Sequence, residues 1–160
     1  MSKEHLATYL NDHLAGSLIT AEIMEHLETE ASDLMPDLAA LKSDIEADRD
    51  QLRSLMHRLG IAESRVRKVT SWIAEQVTEA KFEADDETRG TLRRLERLEA
   101  LAVGIDGKSA LWRALNAAAE VAPELRGMDY EHLTERAQKQ RSHVEMLRLQ
   151  AARLALAPVP

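Results

Sequence analysis

The run 91–120, TLRRLERLEALAVGIDGKSALWRALNAAAE, leaves this chain few folds to choose from. Leu95, Leu98, Ala102, Ile105, Ser109 and Trp112 recur at spacings of three and four, which places them on one side of a helix. Leu101, Gly104, Lys108, Leu111 and Leu115 form a second stripe beside the first. A helix that is apolar over two adjoining stripes packs against more than one neighbour, so this one is expected at the centre of a helical assembly.

The segment AVGIDGKS, 102–109, comes close to a phosphate-binding loop in wording but not in setting. Such a loop leaves a buried strand and opens a helix, so that backbone N–H groups face the phosphates. Here the preceding residues, LRRLERLEAL, are a helical run without a β-branched residue. The segment therefore reads as helix, and no ATP affinity is expected. Gly104 and Gly107 read as places where a neighbouring helix comes close, or as a kink.

The rest of the chain agrees with an all-α fold. Apolar residues make up 44% and charged residues 31%, with only six glycines and four prolines in 160 residues. Ala, Leu, Glu and Arg dominate, and all favour helix. No run alternates apolar and polar over the length of a strand. With no cysteine, disulfides, thiolate catalysis and cysteine-ligated metals are excluded. No apolar run approaches membrane length, and MSKEHLATYLNDH lacks the core of a signal peptide, so the expected location is cytoplasmic.

Charge is spread unevenly. Residues 1–60 carry 12 acids against five bases, whereas residues 61–160 balance. An acidic face disfavours nucleic acid and anionic membrane, neither of which is expected as a partner. Arg93, Arg94 and Arg97 cluster, at a spacing that reads as the solvated side of the central helix.

Five helices are expected in one domain, 1–156, with a frayed tail at 157–160. The first, 3–31, has the stripe Leu6, Leu10, His13, Ser17, Thr20, Met24, Leu27 and Ala31. Leu14, Leu18, Ile19 and Ile23 fall outside it, so a second surface is expected to be covered by a crossover helix or a partner chain, and Leu14, Leu18 and Ile19 point to a homodimer. Asp33 is the expected cap of the second helix, which carries Leu38, Leu41, Ile45, Asp48, Leu52, Leu55 and Leu59 and ends at Gly60. A narrow stripe over 62–82 marks a connecting helix, followed by a polar loop at 83–90. The central helix runs on to Pro123. Asp129 then caps the last helix, with Tyr130, Leu133, Ala137, Gln140, Val144, Leu147, Ala151 and Leu154 on one side. Two antiparallel hairpins joined by a long connection make a four-helix bundle with one crossover.

In this layout, and in the phrases DRDQLRSLMHRLG and GIDGKSALWRAL, the chain resembles the ferritin-like superfamily, in particular small uncharacterised bacterial bundles linked to stress responses. The resemblance implies inward carboxylates on two helices and Glu-x-x-His on the other two, around iron or manganese. This sequence departs from that pattern. Glu46-x-x-Arg49 puts a cation where the histidine belongs, and Gln140-x-x-His143 puts an amide where the glutamate belongs. Glu96 and Glu99, and likewise Glu22, Glu25 and His26, lie off the apolar stripes.

Polar residues do interrupt those stripes at His13, Asp48, Lys108 and Gln140. Counted from the turns at 1.5 Å per residue, they fall near one level, a buried polar layer in which Lys108 pairs with Asp48. The leading expectation is a non-catalytic bundle with a lost metal site, acting as scaffold or interaction protein for an unknown partner, with no cofactor. The alternative is an iron or manganese oxidase or store using His13, Asp48 and Glu22. A third reading is a ligand-binding bundle in which Lys108 contacts an acidic group.

Overall fold

A computed structural model of the chain describes residues 2–64 and 87–157. Among them are four α-helices: α1 (Lys3–Glu30), α2 (Met35–Arg58), α3 (Glu87–Ala119) and α4 (Tyr130–Leu156). Short 3₁₀ turns, Ser32–Leu34 and Pro123–Leu125, join the members of each pair. No described helix is long and apolar enough to cross a membrane. The connecting helix expected over 62–82 lies outside the described residues from 65 onward, and 62–64 are not helical.

Local chemistry sets the helix ends. The Ser2 hydroxyl accepts from His5 N–H at the start of α1, and the Asp129 carboxylate accepts from His132 N–H at 3.0 Å to start α4. After α2, Gly60 takes φ 64° while its N–H reaches His57 O and Ile61 N–H reaches Met56 O. This paired closure needs a left-handed residue, which glycine supplies without a Cβ penalty. Arg126 then folds back onto the end of α3, donating to the carbonyls of Ala119 and Glu120.

Two expected boundaries are corrected. Asp33 does not cap α2; it sits in the 3₁₀ turn and forms a two-pronged pair with Arg94 at 3.0 Å, while Leu34 occupies the cap position. The loop expected at 83–90 is already helical from Glu87. Residues 87–90, ETRG, continue the register of the run behind them, and one glycine costs only about 1 kcal/mol of helix propensity.

The arginine cluster is a further correction. Arg93 and Arg97 pair with Glu30, at the last residue of α1. The Arg97 side chain is only 3% exposed, so this is no solvated face. Arginine spacing looks the same whether it faces water or a carboxylate on a neighbouring helix. These pairs set the direction of the helices, because the start of α3 lies beside the end of α1. At the other end, Arg58 of α2 donates to Arg126 O, between α3 and α4. Thus α1 and α4 run one way and α2 and α3 the other, and the end of α2 and the start of α3 lie at opposite ends of the assembly.

The core has two parts. Ile23, Leu27, Leu41, Leu98, Ile105 and Val144 lie in one cluster; Leu10, Leu52, Leu111, Trp112, Tyr130 and Leu133 lie in the other. Leu14 and Ile19 are buried within the single chain, which removes two of the residues behind the expected dimer. α1 therefore buries a face wider than its one stripe. Where α1 crosses α3, a Cβ on Gly104 would collide with Thr20 Oγ1, so the glycine is what lets the helices approach. Gly107 has no such neighbour.

Candidate functional site

The helices α2, α3 and α4 each interrupt an apolar stripe with a polar residue, on α2 and α3 where the two apolar clusters meet. On α2, Asp48 falls between Ile45 and Leu52; on α3, Lys108 falls between Ile105 and Leu111; on α4, Gln140 falls between Ala137 and Val144. The Asp48 side chain is fully buried. A lone carboxylate there would be very costly, so its partners decide whether the fold tolerates it.

Both oxygens are engaged. Lys108 Nζ donates to Oδ2, and the Gln140 side-chain amide donates to the same oxygen at 2.9 Å. Gln140 Oε1 in turn accepts from Lys108 Nζ. Oδ1 accepts from Arg136 through Nε at 2.8 Å and through Nη2. One carboxylate thus faces two cations, and the three-charge group carries a net positive charge. Burial pushes the Lys108 ammonium below the usual lysine range; Asp48 pulls it back up and Arg136 pushes it further down.

The structure brings Asp48, Lys108 and Gln140 into hydrogen-bond contact but leaves His13 outside that group. Its ring meets Tyr9 edge-on at 4.6 Å between centroids, and it lines a cavity that Lys108 also reaches. Burial lowers its affinity for a proton, against the opposing pull of Asp12. Glu22, Asp48 and His13 do not assemble: among the described residues no three His, Asp or Glu side chains are grouped as metal ligands. His143 meets Asp37 on α2 at 2.9 Å, and Glu99 meets Arg148 on α4 at 3.1 Å.

Arg136 is the member that stripe counting passes over. It stands one position before Ala137, beside the apolar stripe of α4. Its distance of four residues from Gln140 is the available signal, since positions i and i+4 share a helix face.

The cavity lies at the level of this layer, along the seam between α1 and α3 and reaching α2, with a volume of about 240 Å³. Ile23, Ile45, Leu52, Leu111 and Trp112 form much of its wall. The AVGIDGKS segment lies wholly inside α3, with helix on both sides and no strand before it. The phosphate-loop geometry is absent there, as the sequence context requires. Comparison with known proteins finds no matching family, no matching curated protein and no matching solved structure.

Proposed function

We propose that the chain is a non-catalytic bundle of ferritin-like plan, serving as a scaffold or interaction module, with an ion-pair layer in place of a metal centre. The observation that carries this reading is the commitment of Asp48: both oxygens accept from Lys108, Arg136 and Gln140. A second line of support is the helix order: the end of α2 and the start of α3 lie at opposite ends of the bundle, a separation that a crossover helix would span.

The residues present do not suit a di-metal centre. Such a site needs several carboxylates to neutralise its cations. Here the one fully buried carboxylate among the described residues already faces a lysine and an arginine, and a metal beside it would meet two positive charges. The Glu-x-x-His positions hold Arg49 and Gln140, and His143 turns to Asp37 instead of the core. The surplus of acids in residues 1–60 offers α1 and α2 as the face for a basic partner.

Elemental analysis of protein purified without chelators tests this reading. The expected result is less than stoichiometric iron, manganese or zinc after dialysis. A stoichiometric transition metal that is lost in Asp48→Asn would overturn it in favour of an oxidase or metal store.

A further inference from the structure

The mid-bundle cavity carries features that neither the packing nor the ion-pair layer requires. Gly16 on α1 and Gly107 on α3 both line it, and a Cβ built on either meets no atom of the described residues within 4 Å. Glycine inside a helix costs about 0.5–1 kcal/mol relative to alanine, a cost that a close helix crossing normally offsets. Gly104 has such a crossing; Gly16 and Gly107 have only the open space. Gly107 leaves that space open, and Gly16, which is exposed, lies at its rim.

Polar groups on the same wall lack partners. Trp112 is completely buried and its indole N–H has no hydrogen-bond partner among the described residues. Arg49 lines the cavity, its Nε–H is buried without an acceptor, and no carboxylate pairs with it among the described residues. Lys108 spends two of its three N–H donors on Asp48 and Gln140. Every one of these groups is a donor. Two of them are cations, and the neighbouring Asp48–Lys108–Arg136 group is already net positive. The acceptor they lack is anionic, while much of the remaining wall is hydrocarbon, interrupted by Asp12, His13, Ser17, Thr20 and Asp48.

We infer that the cavity between α1, α2 and α3 binds a small carboxylate with an apolar body, its carboxylate held by Arg49, Lys108 and the Trp112 indole N–H. Size follows from volume. A dry cavity of about 150 Å³ takes benzene, so about 240 Å³ takes roughly ten non-hydrogen atoms. A medium-chain fatty carboxylate or a single-ring aromatic acid meets that limit. Asp12 lies at the exposed rim, where it disfavours a second negative charge and selects monocarboxylates over dicarboxylates.

Octanoate, with 1-octanol and octylamine as charge controls, tests the inference by calorimetric titration of the full chain. Octanoate should bind with one site per chain, 1-octanol about tenfold or more weakly, and octylamine not at all. Arg49→Gln should weaken octanoate about tenfold or more and leave 1-octanol unchanged, since only the charged head is affected. Gly107→Leu, filling the space while improving helix propensity, should abolish binding of both without lowering the melting temperature. Gly16→Ala and Gly107→Ala should each raise the melting temperature, which keeps the cavity reading testable even if Gly107→Leu fails to fold. Octylamine binding as well as octanoate, or octanoate binding undiminished in both Arg49→Gln and Gly107→Leu, would overturn the inference. So would the absence of octanoate binding at millimolar concentration.

Discussion

Asp48 is the hub of the buried layer, and its removal should be far more damaging than removal of any one partner. In Asp48→Leu both Lys108 and Arg136 lose their counter-charge at once. Their side chains retain 14% and 23% exposure, so each can lean toward water, and that holds the loss within the usual range for a broken buried pair, about 3–5 kcal/mol. Lys108→Met is different: Asp48 keeps Arg136 and Gln140, so no charge is stranded, and loss of the ammonium's two hydrogen bonds, to Asp48 and to Gln140 Oε1, costs about 1.5–3 kcal/mol net of the gain from apolar packing. At about 2–4 °C per kcal/mol for a chain of this length, Asp48→Leu should lower the melting temperature by roughly 6–20 °C. The double variant should lose clearly less than the two single losses combined, and adding Arg136→Met should recover more, because all three charges are then gone together. Urea unfolding followed by circular dichroism, with unchanged denaturant slope, gives each free energy. Strictly additive single effects, or a Lys108→Met loss equal to that of Asp48→Leu, would refute the hub.

Gly104→Ala should destabilise by about 1–3 kcal/mol despite its better helix propensity, and Thr20→Ala in the same chain should restore most of the loss, read by the same urea melts. Because burial holds the His13 imidazole below its ordinary value of 6.5, the unfolded chain takes up that proton first. Stability therefore rises with pH through the window below 6.5, acidification from about pH 7 to pH 5 lowers the melting temperature, and His13→Gln should flatten that profile. Arg97 lies against the Glu30 carboxylate, yet its Nε and Nη1 make no aligned hydrogen bond. Proximity without alignment makes a weak partner for a buried charge, so Arg97→Met should be neutral or stabilising in thermal melts, whereas Glu30→Ala should destabilise.

Much of the bundle is legible in the sequence because each helix writes its buried side at spacings of three and four. The stripes of α2, α3 and α4 are interrupted by polar side chains at Asp48, Lys108, Ser109 and Gln140, and a charge inside an apolar stripe is itself a signal. α1 is harder to read. Its buried face includes Leu14, Ile19 and Ile23 beside the expected stripe, since it packs on both α2 and α3, and a one-stripe reading leaves those residues for a crossover helix or a partner chain. Arg136 is invisible to stripe counting because its backbone sits beside the core and only its long side chain reaches in. The arginines near Glu30 show the same limit: helical spacing says which residues share a face, not what that face meets. The cavity was not legible at all, because a glycine facing open space and a glycine facing Thr20 look identical in one dimension.

The central claim is that a lysine ammonium, not a metal, sits in the middle of this bundle against Asp48. Proton–nitrogen NMR tuned to lysine side-chain ammonium groups observes that group directly. The account predicts one slowly exchanging ammonium signal that disappears in Lys108→Met and moves in Asp48→Asn, with a titration midpoint below the usual lysine range. A Lys108 signal that exchanges freely with water, titrates as an exposed lysine and ignores Asp48→Asn would contradict it.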